Sequence, residues 1–445
     1  MVYLATSINE SPVIVDKAGV AIDDVRGKAV KFAEDGTIAL CGAGEIALGV
    51  GIMTNDKSTA AGEDVHIQIK DIGLVKTGAA ITKGAALTTD VNGCFIPAAT
   101  GYVSAIALEA AADAGVYIKA RLTAYKMTGG TLVTTQDEIV SAIAEAEDGA
   151  VITLANDLTL TDTLAIDKSM TLNLNGKTIK SSADIWTKAG TLTVENGTIE
   201  SAADGFVVGD YVGGSDKATG DVSLIIGKGV TIRATGDNCN AVYIRSTDHN
   251  ASLITSGELI STGTATIQGN GSAKGNVTIT GGSVTCENGH AIYFPQDGDL
   301  TITGGTISGK VGLEIRAGSL TISGGEINGS IDAFPGLTPN GNGTTSTTGA
   351  AVVVSQHSTN KAIDVSISGG TLTGYQAFHE EDVQDESTGD GITISITGGT
   401  FNGNVSSENA VNFISGGRFT QPVSPDYCAT GKTTTTDTDG YYTVV

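Results

Sequence analysis

Aromatic residues are scarce in this chain: one Trp, 11 Tyr and 9 Phe among 445 residues. That scarcity argues against helices packed around large rings. The five cysteines (Cys41, Cys94, Cys239, Cys286 and Cys428) are odd in number and scattered, with no CxxC. They give no disulfide framework and no metal motif, so no cofactor or metal is expected. Basic residues are outnumbered, 25 Lys and Arg against 49 Asp and Glu. The resulting net charge of −24 makes nucleic acid an unsuitable partner, because phosphates repel the chain at every approach. No apolar run reaches membrane-spanning length, so no membrane partner is expected either. The opening MVYLATSINESPVIVDK lacks a basic stretch followed by an apolar one. It therefore does not read as a secretory signal, and folding in a reducing cytosol is the expectation.

Glycine, by contrast, is abundant at 61 residues, which suits many short strands joined by tight turns. The charge is uneven. Residues 1–127 hold 11 basic against 14 acidic side chains, while the remainder holds 14 against 35. Such an acidic surface reads first as solvated and self-repelling.

Residues 1–127 contain an internal duplication, with copies at about 19–70 and 78–122. Gly27 followed by AVKF, Gly36, Gly44 and EIALGVGI parallels Gly84 followed by AAL, Gly93, Gly101 and YVSAIALE. Each copy closes on a glycine and an alternating strand: Gly62 before VHIQI, and Gly115 before VYIKARL. Period-two alternation with glycines at the turns predicts two four-strand units forming a small β-barrel or sandwich. The segment 106–114 is a candidate short helix.

After a linker at 128–134, residues 135–150 read as a capping helix. Thr134 or Thr135 serves as N-cap, Gly149 lies past the end, and Ile139, Val140, Ile143 and Ala144 form the apolar side. A phrase then recurs from 151 to 420: apolar, Thr or Ser, apolar, a polar residue, Gly-Gly or Asn-Gly, one residue, apolar. Copies include LNLNGKTI, LTVENGTI, VTITGGSV, LTITGGTI, LTISGGEI, VSISGGTL and ISITGGTF. Conserved strand and turn with loops of variable length predict a right-handed, single-stranded parallel β-helix of about eleven coils. At ~4.8 Å per coil the rod is roughly 50 Å long. Inserts project at 333–350 and 379–391, and 421–445 reads as a C-terminal cap hairpin. The fold class is therefore all-β throughout, save the capping helix.

Many β-helices cleave polysaccharides, which needs two carboxylates ~5–9 Å apart on one bond. The NTD, DD, GHG and RIK signatures of the polygalacturonase type are absent from the rod. The one DD, Asp23-Asp24, lies in the N-terminal domain, His290 sits in GHA, and Asp297 and Asp299 flank a turn glycine. Glu380, Glu381, Asp382, Asp385 and Glu386 cluster in the 379–391 insert, where a solvated or Ca²⁺-attracting loop is the first reading. No catalytic residue is assigned. A second strand family (AVYIR, AIYFP, GLEIR, AVVVS, AFHEE) places Tyr243, Tyr293, Glu314, Val353 and His379 on one outward ladder. Tyr243, Tyr293, Arg245, Arg316 and His379 form the candidate glycan-contact set, weighed against a plain solvent face. Trp186 reads as packing in a coil loop.

The KG-x-φ, D-x-x-G and G-x-x-x-G-φ-A patterns of residues 10–125 resemble the capsid decoration and head-fibre proteins of tailed bacteriophages. Residues 131–445, from the opening helix and LTLTDTLAIDKSMTLNLNGKTI to the closing ISGG…PVSPDY…DG-x-YTV, resemble the β-helix modules of large surface proteins of gut bacteria. The first resemblance implies a virion protein on the outer surface of the capsid, assembled in the host cytoplasm. The major capsid protein would be its partner and a homotrimer its state, and the displayed rod, through its ladder, is the candidate contact for host-surface or mucosal glycans. A bacterial surface adhesin and a depolymerising tailspike are the alternatives.

Overall fold

The computed structural model describes residues 12–98, 101–127, 131–211, 216–381 and 391–445. It divides into two units, Met1–Thr131 and Leu132–Val445.

The N-terminal unit carries the duplication as two sheets of one topology. In the first copy, β1 (Val13–Lys17), β2 (Ala29–Phe32), β3 (Ile38–Leu40), β4 (Gly49–Gly51) and β5 (Asp64–Gln68) lie in the order β1-β5-β4-β2-β3. In the second, β6 (Ile72–Lys76), β7 (Ala86–Thr89), β8 (Phe95–Pro97), β9 (Gly101–Ala107) and β10 (Tyr117–Met127) lie in the order β6-β10-β9-β7-β8. All these pairs are antiparallel. A parallel bridge joins the ends of each sheet, Ala18 to Ile38 and Thr77 to Phe95, so both curl into small barrels. The sheet of each copy thus has five strands rather than the four expected, and the first copy adds a short pair, Ile22–Asp23 with Ser58–Thr59. The extra strands are β1 and β6, whose apolar runs VIV and IGLV stand ahead of the glycines that carry the repeat. Gly36 and Gly93 take φ of 83° and 72°, and Gly62 and Gly115 both take 83°. These left-handed turns need glycine in both copies. Residues 106–114 form no helix: Ile106 and Ala107 belong to β9 and a turn follows.

The second unit opens with α1 (Gln136–Glu145). The Thr135 hydroxyl accepts the Glu138 N–H at 3.3 Å, and Glu138 in return accepts the Thr134 N–H at 2.6 Å, a reciprocal cap at the helix start. Its buried side is Ile139, Ala142 and Ile143, with Ala146 packed against the same core. Val140 is 49% exposed and Ala144 is exposed, because the 3.6-residue turn carries them off that face.

The rod is a three-faced parallel β-helix. On its first face, inward side chains stack coil upon coil: Met170, Leu192, Leu224, Leu253, Val277, Leu300, Leu320, Val365 and Ile394. On the second, eleven strands run from Leu158–Leu160 to Arg418–Phe419, and their column ends in stacked Phe401 and Phe419 rings 4.7 Å apart. Each fully buried Leu or Ile contributes about 1.5–3 kcal/mol relative to an exposed one, so the columns carry the rod. The cap is antiparallel. Tyr442–Val444 pairs with both Arg418–Phe419 and Thr434–Thr436, which reverses the strand direction and ends the stack. Arg418 secures it through Asp437 (2.6 Å) and the Tyr441 ring (4.0 Å).

Candidate functional site

The third face carries the ladder read from the sequence. Its outward column is Ala165, Trp186, Val207, Tyr243, Gln268, Tyr293, Glu314, Val353, His379 and Ser406, in register from coil to coil. The shared ladder is therefore real, with one coil (Ala265–Gln268) between Tyr243 and Tyr293 that the repeat phrase had hidden. Trp186 also sits on it, not in a coil loop. Its indole N–H donates to the Gly209 carbonyl at 2.7 Å and its ring lies 5.2 Å from Tyr211.

The ladder is nevertheless not a free sugar-stacking surface. Tyr243 is 6% exposed, and Asn270 of a neighbouring loop donates to its hydroxyl at 3.3 Å. Arg316 is fully buried, and its guanidinium donates to the Tyr293 hydroxyl (2.7 Å) and to the carbonyls of Asn342, Gln356 (both 3.1 Å) and Ser355 (3.3 Å). Tyr293 and Arg245 are half-buried. His379 sits under Phe334 at 4.6 Å and bonds Ser406 (2.8 Å) and Glu381 (3.0 Å) through its two ring nitrogens. The cover is the 331–349 insert, whose hairpin pairs Thr338–Asn340 with Gly343–Thr345. Phe334 and Leu337 of the insert pack on Val311, Ala350 and Val353. Apolar side chains on both sides of the strand Ala350–Val354 find two cores, which is why AVVV lacks the usual alternation.

Beneath the insert lies a buried ion pair, Glu314 with Arg316, at 3.4 Å and with neither side chain exposed. One Glu314 oxygen accepts from Ser346 N–H (2.9 Å), Thr345 hydroxyl (3.0 Å) and the Ser346 hydroxyl, and lies 3.0 Å from His290 Nε2. The other has no hydrogen bond and depends on the Arg316 charge alone. Burial pushes the Glu314 carboxyl up. The His290 hydrogen bond and charge, then the Arg316 charge and Ser346, outweigh it and hold the group below its ordinary range. Ser346, His290 and Glu314 do not form a nucleophile relay. A relay needs the hydroxyl and the acid on opposite ring nitrogens, whereas both approach Nε2 here, at 3.3 and 3.0 Å. The network holds the insert to the rod.

The acidic cluster separates in the same way. Glu380 is buried and accepts from Ser407 hydroxyl (2.6 Å) and Asn409 N–H (3.1 Å), and Glu381 holds His379. Asp382, Asp385 and Glu386 lie outside the described residues. Among the described residues no group of three or more His, Cys, Asp or Glu is placed to hold a metal, and no helix is long and apolar enough to cross a membrane.

The open surface is on the N-terminal unit. Among the described residues it exposes nine large apolar side chains, against seven on the rod, which is more than twice as long. A groove of about 720 Å³ is lined by Phe32, Ile46, Leu48 and Tyr102, with a Lys31–Glu45 ion pair (2.6 Å) at its rim. A second, of about 280 Å³, is lined by Val50, Ile52, Met53, Ile72 and Leu74, with Lys119 beside them. Sequence reasoning placed several of these residues in the repeat but marked none of them as an open surface. The available signal was β6, IGLVK, which is apolar at outward Ile72 and Leu74 as well as inward Val75. A strand apolar on both faces, in a barrel with one core, has a second surface to cover.

No family model matches the chain, and no curated protein does. Among solved structures, the chain is similar to the N base of the head fibre gp8.5 of bacteriophage phi29, at 21% identity and a TM-score of 0.21, over 26% of this chain and 96% of that one.

Proposed function

We propose that this chain is a non-catalytic structural protein of a phage virion. Its N-terminal unit docks on the outer face of the capsid against the major capsid protein, and the rod is displayed outward. The observation that carries this reading is the unequal finish of the two units. Apolar side chains stand open on a near-neutral N-terminal unit, while a strongly acidic rod spends its aromatic and charged ladder on holding its own loops. Exposed apolar grooves mark interaction sites, and a like-charged rod resists clumping with its neighbours. Displayed in many copies, such rods hold host-surface glycans through weak contacts that sum by avidity.

The test is sedimentation of purified full-length protein with intact capsids that lack it. We expect it to travel with the capsids, and Ile72→Asp with Leu74→Asp to abolish this without unfolding, since both side chains are already exposed. Protein that stays at the top of the gradient at saturating concentration would overturn capsid docking. Glycan contact is tested on an array, where binding no higher than background removes that part. Release of reducing ends from bacterial capsule polysaccharide would overturn the non-catalytic reading.

A further inference from the structure

Nine asparagines of this chain stand directly before a glycine, and the fold treats one of the nine pairs differently from the rest. Such a pair is reactive by its own chemistry. Glycine has no side chain to shield its amide nitrogen, so that nitrogen can reach Cγ of the asparagine before it. The reaction needs an unbound N–H and room for the chain to bend. Five of the glycines have the N–H bound: Gly93 to the Asp90 carbonyl (3.2 Å), Gly176 to Asn196 (2.6 Å), Gly197 to Gly229 (3.2 Å), Gly329 to Thr373 (2.8 Å) and Gly403 to the Thr420 hydroxyl (2.9 Å). Gly271 and Gly289 are buried, one under the His357 ring and the other against the Thr264 carbonyl. Gly343 is paired with Asn340 in the hairpin of the insert. Among the described residues only Gly341, at the tip of that hairpin, follows an asparagine, is exposed, faces nothing on its open side and has its N–H unbound.

Asn340 is set up for the attack. It lies in the exposed strand Thr338–Asn340, and its Oδ1 accepts the Asn342 N–H at 2.8 Å. A hydrogen bond to that oxygen draws electrons from Cγ and stabilises the oxyanion that forms when nitrogen adds. We propose that Asn340-Gly341 is a self-modification site, at which the asparagine becomes isoaspartate. The Gly341 nitrogen bonds to Cγ, the Cγ–Nδ2 bond breaks, and the Gly341 proton leaves with Nδ2 as ammonia. Water then opens the five-membered imide. Breaking its bond from nitrogen to Cγ gives aspartate, and breaking the bond from nitrogen to the main-chain carbonyl carbon gives isoaspartate. Nothing is oxidised or reduced, and water is the sole co-reactant.

Isoaspartate places Cβ in the main chain, beside the two-residue turn that joins Asn340 to Gly343. A turn of that kind sets the strand register by its length, so one added atom breaks the pair. The adjoining Asn342 carbonyl accepts from the Arg316 guanidinium and from the Ser358 N–H, both at 3.1 Å. Thr345 and Ser346, just beyond, hold Glu314. The modification therefore loosens the insert at the ion pair that ties it to the rod, and a covered stretch of the ladder opens as the protein ages.

The test ages the full-length protein in mildly alkaline buffer and follows every Asn-Gly pair by peptide mass, with fragmentation separating Asn340 from Asn342. Asn340 should gain one mass unit at least about tenfold faster than the other eight, since each of those must first open a bond or a packed coil. Part of the product should accept methyl groups from an enzyme specific for isoaspartate. Hydrogen exchange across residues 338–346 should then run at least about tenfold faster than in fresh protein. Asn340→Gln alters an exposed side chain and can close only a slower six-membered ring, so it should age without either change. No conversion at Asn340, or equal conversion at another pair, would overturn the site. Conversion with unchanged exchange would overturn release of the insert, and faster exchange in aged Asn340→Gln would overturn its assignment to this residue.

Discussion

The two units solve the problem of strand edges in opposite ways, and the contrast separates a finished surface from an open one. The rod stacks parallel coils until a helix covers its first and an antiparallel hairpin ends its last, and its longest insert folds back over an outward face. The N-terminal unit closes two barrels on themselves by single bridges yet leaves apolar grooves open. A surface that protects itself this thoroughly is built to stand in solvent. A surface that does not is built to be covered.

Four measurements break or sharpen that comparison. The largest effect is expected at the buried pair. Glu314→Ala strands the Arg316 guanidinium and should cost about 3–5 kcal/mol in denaturant unfolding of the rod. Replacing both partners with Glu314→Gln and Arg316→Met should cost much less, and equal losses would show that the pair is not the tie holding the insert. Next, Leu320→Ala opens a hole in a continuous aliphatic column and should cost about 3 kcal/mol, read from the same transition. A loss below about 1 kcal/mol would mean that the coils slide to fill the gap.

Third comes the junction of the two copies. The Asp24 carboxylate bonds Arg26 at 2.6 Å and lies 3.5 Å from Lys76, and chiefly the Arg26 hydrogen bond lowers its pKa to about 2. Because the folded value is depressed, the stabilisation is fully present above the unfolded value of about 3.9 and is lost as pH falls toward 2. Asp24→Asn keeps a residue tolerant of the local φ of 58°, so it removes charge alone. Melting curves of the two proteins should differ at pH 7 and draw together as pH falls from about 4, converging only below about pH 2; a pH-independent gap would refute the role of the charge. The smallest effect is expected on the rod's outer Thr column, where Thr301→Val should change stability by no more than about 0.5 kcal/mol.

Much of the architecture was legible in the residues. The glycine spacings marked the duplication because left-handed turns leave little choice of residue. The GG phrase marked the coils because each must repeat the inward pair of its neighbour. Even the third-face ladder could be placed, since a strand side chain's direction follows from its parity. Exposure could not. Tyr293, Arg316 and His379 point outward as read, but a segment distant in sequence, 331–349, lies over part of that ladder. Val140 and Ala144 failed for a simpler reason, a helical face drawn too wide. Strands β1 and β6 were passed over because the repeat was followed through its glycines, and these strands carry the repeat only in apolar residues.

By itself, then, the sequence determined the local periods: where the chain turns, which residues alternate inward, where one unit gives way to the next, and where the acid lies. Those depend on neighbours a few residues apart or one coil apart. Only the tertiary structure decided which outward residues meet solvent. It covered Glu314 and Arg316 and left Phe32 and Ile72 open, because covering depends on how distant loops and repeats come to rest on one another.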